Sequence, residues 1–162
     1  MNIQVELEQF KHKTEEIIED MKTCISYTPD QENDLLCLME RYLKASKEHR
    51  KKLLDQIKKC MNGEVYENPF LVYYGYSQED IERFDYLLKH FIDHLKIHHQ
   101  SGLEVRFSVR FIVIELNKLN DKCQGRLIDP FRREMLISFF EGIGKIIGCE
   151  GIKNSINEYR SW

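Results

Sequence analysis

The sequence predicts an all-α protein: a single domain over residues 1–162, with six or seven helices bundled around a buried central helix at 103–119. Three observations carry this. Apolar residues recur at three- and four-residue spacing along most of the chain. Only three prolines and eight glycines punctuate 162 residues, too few for a turn-rich β fold. Capping signatures stand where the apolar stripes begin. A chain of this length buries roughly 68–70% of its unfolded surface, enough for a core without staples.

The first helix is expected from Ile3 to Tyr27, its core stripe formed by Phe10, Ile17, Ile18, Met21, Cys24 and Ile25. Thr28-Pro29-Asp30-Gln31 follows, with Thr28 as cap, Pro29 at the first helical position and Gln31 completing a capping box. The second helix carries Leu35, Leu36, Met39, Tyr42 and Leu43. Ser46 either caps a third helix or lies within a continuous one, and Leu53, Leu54, Ile57 and Met61 extend the stripe to the stop at Asn62-Gly63. Residues 64–76, EVYENPFLVYYGY, form the long irregular segment; their aromatics predict a loop packed on the body. Ser77 with Asp80 opens the next helix, whose seam is Ile81, Phe84, Leu88, Phe91 and Leu95. Asp129-Pro130 starts a later one carrying Phe131, Met135, Phe139, Ile143 and Ile146, with Gly142 on that face admitting a close neighbour. Gly148 ends it, and a short helix with Ile152, Ile156 and Tyr159 completes the chain.

The stretch LEVRFSVRFIVIELNKL, residues 103–119, supports two periods. From Leu103 to Val113 apolar and polar residues alternate, as in a strand. At helical period, Val105, Val109, Ile112, Leu116 and Leu119 form one stripe, and Phe107, Phe111 and Ile114 a second nearly opposite it. A strand needs partners, and only Phe70–Tyr74 offers one, so the helix is preferred. A helix apolar on two sides is expected to lie buried between neighbours.

Composition excludes several classes. A hydrophobic share of 42% and a charged share of 31% are those of a soluble globular protein. A net charge of −3 argues against nucleic acid and anionic membrane as general partners. The longest aliphatic or aromatic run, Phe111–Ile114, is far too short to span a bilayer. The N-terminal stretch has no leader-like apolar segment, and the five widely spaced cysteines form no C-x-x-C pair, so a cytoplasmic protein with reduced thiols is expected. Charge is uneven: residues 1–40 balance to −7 and residues 44–59 to +5.

The chemistry-bearing groups are few. His90, His94 and His98 stand at i, i+4 and i+8 with Asp93 between, the spacing of a possible ligand row, but no H-e-x-x-H or Cys/His pattern completes a metal site, and none is expected. Cys149, at a helix junction, is the nearest to a candidate nucleophile; as a free cysteine it reads first as a small buried residue. Arg106 and Arg110 share a strip with Asn117 and could grip a carboxylate or phosphate. No catalytic carboxylate pair, phosphate loop or dinucleotide turn is present. No cofactor and no catalytic residue is assigned.

Leu119-Asn120-Asp121, a loop with Gly125, a long helix closing at Gly148 and an end in Arg160-Ser161-Trp162 resemble a group of small bacterial helical proteins with an Arg-x-Trp terminus. In character, being small, acidic and without a catalytic signature, the chain is similar to immunity proteins of bacterial toxin–immunity pairs. That resemblance implies a non-enzymatic module that covers a toxin's active surface. On this reading Glu15, Glu16, Glu19 and Asp20 would steer a basic partner, and Tyr66, Tyr73, Tyr74 and Tyr76 would anchor it. A small ligand-binding or metal-dependent enzyme using His90/His94/His98 or Arg106/Arg110 is the alternative, and a homo-oligomer is the third reading.

Overall fold

The computed structural model describes residues 2–26, 30–66 and 74–162. Its helices are α1 (Ile3–Phe10), α2 (His12–Ile25), α3 (Gln31–Lys44), α4 (Lys47–Met61), α5 (Gln78–His98), α6 (Gly102–Lys122), α7 (Pro130–Ile147) and α8 (Ile152–Tyr159). No strand occurs among the described residues, and the protein is an all-α bundle. The chain divides into two compact units, Ile25–Tyr73 and the remainder.

The smaller unit is built on the α3–α4 hairpin. Asp30 caps α3, accepting from the Asn33 amide, and its own amide donates to Asp34 Oδ2 at 2.8 Å. The same Asp34 oxygen accepts from the Tyr66 hydroxyl at 2.6 Å. Thr28 and Pro29, expected to provide the cap, lie outside the described residues. Leu38, Cys60 and Tyr66 form the core, with Leu35, Leu53 and Ile57 against them. The expected stripes are therefore turned: Leu36, Met39, Leu43, Leu54 and Met61 are exposed. In an antiparallel hairpin only the facing sides are covered, so the outer leucines and methionines stay in solvent.

In the larger unit α1 and α2 replace the single first helix. The break falls at Lys11, whose carbonyl accepts both the amide and the hydroxyl of Thr14, at 3.0 and 2.8 Å. Thr14 is fully buried, and this local bond competes with the helical ladder there. Ser77 and Asp80 form the expected capping box on α5, and Ser101 caps α6. α5 and α6, 21 residues each, pack along one another; α8 packs on α6 and α7, and α1 on α5 and α7. The core is Phe84, Leu88, Ile92 and Leu95 of α5, Val109, Ile112 and Leu116 of α6, and Leu136, Phe140 and Ile143 of α7. Phe91, Phe139 and Phe140 meet edge-on, with centroids 5.3–5.5 Å apart. A Cβ on Gly142 would run into the Phe10 ring, so the close approach read from the sequence is real. Gly148 takes the left-handed conformation, φ 71°, that ends α7 and turns the chain into α8.

The helical period at 103–119 holds, and α6 extends it by one residue before and three after. Val105, Val109, Ile112, Leu116 and Leu119 are buried as expected. The second stripe is covered only in part: Phe107 is 65% exposed and Phe111 49%, while Ile114 is half-buried. Leu103, one turn before Phe107, is 77% exposed as well. Cys24 and Phe131, both placed in core stripes from the sequence, are exposed as well.

One buried cation joins distant parts of this unit. Arg132, 2% exposed, sits at the start of α7. Its Nε donates to Asp20 Oδ2 at 2.7 Å; one terminal nitrogen reaches the carbonyls of Leu127 and Arg126; the other reaches the Tyr76 hydroxyl at 2.9 Å and Cys24 Sγ at 3.2 Å. All five N–H donors are thereby met. Burial is the largest single influence and disfavours its charge, but Asp20, Tyr76 and Asp129 together outweigh it and raise the pKa. The Tyr76 hydroxyl, which donates a hydrogen bond to the Met21 carbonyl, has its pKa pushed up to about 12, chiefly by burial. Asp20→Ala leaves this cation buried with a donor unmet and should cost about 3–5 kcal/mol. Urea denaturation checks it against Glu15→Ala, an exposed change expected within about 0.5 kcal/mol.

Candidate functional site

The α5–α6 pair leaves a cleft on one flank. Leu87 and Phe91 of α5 and Ile112 of α6 form its floor; Phe107 and Phe111 rise along one side, and His90, His94 and Ser108 complete the lining. Its volume is about 210 Å³, almost all of it faced by carbon. The phenylalanines follow Leu103 at four-residue steps, so they stand in a row beside the opening.

The polar groups at the rim form one connected set. Ser108 Oγ lies 2.8 Å from the Glu104 carbonyl and 2.7 Å from His94 Nδ1. The carbonyl only accepts, so the arrangement that satisfies all three partners has Ser108 donating to Glu104 and His94 Nδ1–H donating to Ser108. His94 Nε2 then carries the free lone pair, 4.0 Å from Glu104 Oε2. The His94 and His98 rings lie 4.4 Å apart. Burial first, and then His98, lower the pKa of His94; Glu104 opposes this, and His90 adds slightly to the lowering. The cleft therefore carries a neutral imidazole near pH 7.

As acyl-transfer machinery the Ser108–His94 pair is incomplete. Ser108 stands in mid-helix with its proton given to the turn below, and the amides around it are held in the helical ladder, so no oxyanion donor faces the cleft. Among the described residues no group of three or more His, Cys, Asp or Glu is arranged to hold a metal ion. The hollow around Cys149 is lined by Glu141, Lys145, Glu150 and Lys153 without a histidine. Cys123 is buried, and burial pushes its thiol up to about 11, away from nucleophilic chemistry.

No protein-family model matches the chain, and no curated protein or solved structure is significantly similar to it. The geometry alone has to rank the residues singled out from the sequence. Tyr66 and Tyr76, expected to anchor a partner, are 7% and 5% exposed and are spent on Asp34 and on Arg132. Tyr74 is half-buried, and Tyr73 lies outside the described residues. Asp20 is bound to Arg132, Glu16 pairs with Lys13 at 3.0 Å and Glu19 with Lys22 at 3.6 Å, so of the acidic row Glu15 alone has no ion pair among the described residues. His90 and His94 do share a site, but as the rim of an apolar cleft; His98 stacks behind His94. Arg106 and Arg110 are exposed along α6, and Arg110 lies over the Tyr159 ring, 5.4 Å from its centroid. Asn117, on the same strip, instead clamps the chain end, donating to the Tyr159 carbonyl at 2.8 Å and accepting from the Ser161 amide at 3.1 Å. The residues missed from the sequence as a site are Phe107 and Phe111. Their signal was present as the second apolar stripe, read there as core.

The lowered pKa of His94 has a consequence for stability. Between its folded value and the ordinary value near 6.5 the unfolded chain binds more protons, so stability falls as pH drops below about 6.5. The thermal midpoint should decline more steeply from pH 7.5 to pH 5.5 in the native protein than in His94→Gln. Equal slopes in the two proteins would remove His94 from the balance.

Proposed function

We propose that the chain is a protein-binding module that covers a partner through the α5–α6 cleft, and that its particular role is that of an immunity protein neutralising a cognate bacterial toxin. The observation that carries the first part is the exposed row of Leu103, Phe107 and Phe111 beside an apolar cavity. Contiguous exposed apolar patches mark interaction sites, and aromatic residues are enriched at protein interfaces. Size favours the same reading over a small-molecule site. Ligand pockets run to about 300–1,000 Å³, whereas this cleft holds about 210 Å³, room for a single large side chain of a partner. The toxin role rests on the chain's character as read above, and the surface assigned to it moves from the acidic residues and tyrosines to α6.

Hot-spot aromatics act mainly on dissociation. Phe107→Ala and Phe111→Ala should each speed release of the partner co-purified from the native host by about tenfold or more, with the fold retained because Phe107 is largely and Phe111 about half exposed. Surface-plasmon kinetics measures the first and circular dichroism the second. A partner that leaves both variants as slowly as the native chain removes the cleft from the interface. Survival of cells expressing the neighbouring gene's product tests the role: a chain that binds at the cleft yet protects no cell is a binding module of another kind.

A further inference from the structure

The cleft reading leaves the chemistry of the partner open, and two arginines beside the aromatic row narrow it. Arg106 and Arg110 are one turn apart on α6, both exposed, on the side of Leu103 and Phe107 away from the cavity. Neither has a carboxylate partner among the described residues, whereas Arg83, on the neighbouring helix, reaches Glu115 of α6 at 3.8 Å. The Arg110 guanidinium lies over the Tyr159 ring, 5.4 Å from its centroid, a cation–π contact that favours the charge at this place. On the opposite flank His94 is neutral with Glu104 next to it, and the nearby cations Arg83 and Lys118 both face Glu115, so among the described residues the cations beside the row without a carboxylate partner are Arg106 and Arg110.

Resting on the cleft reading above, we infer that the partner presents an acidic amphipathic helix, which inserts one bulky apolar side chain between the α5 floor and Phe107/Phe111 and sets its carboxylates on Arg106 and Arg110. The geometry suits a helix. The row from Leu103 to Phe111 is straight and about 12 Å long, a groove between two helices accepts a third by its apolar stripe, and carboxylates spaced one turn apart match guanidinium groups spaced one turn apart. An extended strand would need an exposed backbone edge, and α6 offers none, its amides being used within the helix.

The test is selection of a displayed random-peptide library on the native chain, followed by affinity measurement on synthetic copies of the enriched peptides. The expected result is enrichment of net-negative sequences with one Phe, Trp, Leu or Met anchor. These should gain helix on binding, lose about tenfold or more in affinity to Phe111→Ala, and lose a similar factor to Arg106→Glu/Arg110→Glu. Basic or neutral peptides that need Phe111 but ignore the arginine reversal would overturn the acidic-helix inference and leave the cleft reading standing. Failure to enrich any peptide that depends on Phe111 would overturn both. A labelled single-stranded oligonucleotide serves as the remaining arm: tight binding lost in Arg106→Glu/Arg110→Glu would reassign the face to nucleic acid.

Discussion

The larger unit is assembled around a charge that has no business in a protein interior unless every one of its donors is met. Arg132 meets that condition only if four separate pieces of chain arrive together: α2 with Asp20 and Cys24, the residues before α5 with Tyr76, the loop carbonyls of Arg126 and Leu127, and the first turn of α7 itself. A buried ion pair of this kind adds little net stability over a well-packed apolar substitute. Its effect is selective. An arrangement that misplaces any of the four pieces leaves a cation or a hydroxyl unsatisfied, at a cost comparable to much of a domain's stability of about 5–15 kcal/mol. Apolar stripes fix that helices pack; this cluster fixes how α2 and α7 pack.

The cluster also explains why part of the sequence reading failed. Tyr76 and Asp20 look like surface residues by type, one a hot-spot aromatic and the other a member of an acidic run. Nothing in their own neighbourhoods marks them as partners of a residue more than 50 positions away in one case and more than 100 in the other. Tyr66 is the same problem on a shorter scale, since its hydroxyl serves the buried Asp34. Local signals fared better. The Ser77–Asp80 box, the Asp129-Pro130 start, the Asn62-Gly63 stop and the Gly148 turn all depend on contacts within a few residues, and each appears where it was read. The helix break at Lys11 was missed because a threonine within a helical stripe sits equally well in an unbroken ladder, and its bond to the Lys11 carbonyl has no separate sequence signature.

α6 shows how a correct element can carry an incorrect inference. Its two apolar stripes were visible in the sequence, and so was its period. Periodicity reports which residues share a face but not whether a neighbour covers that face. The rule that a doubly apolar helix is an inner helix holds for a folded chain that uses all its apolar surface internally. In α6 the Val105–Leu119 stripe is buried within the unit, whereas of the second stripe Phe107 and Phe111 are exposed and Ile114 is half-buried.

That departure is the feature that separates the cleft from the rest of the surface. Single exposed leucines are ordinary, and those on α3 and α4 need no account beyond a thin hairpin with two open sides. A row of exposed aromatics bordering an apolar cavity is different, because each ring keeps hydrophobic area in water that burial elsewhere would have made favourable, at roughly 25 cal/mol per Å². Sequences that specify one fold agree across levels of description, and the places where they break that agreement are expected at functional or strained sites. Phe107 and Phe111 break it in this way, and that break is what supports placing the proposed partner surface at the cleft.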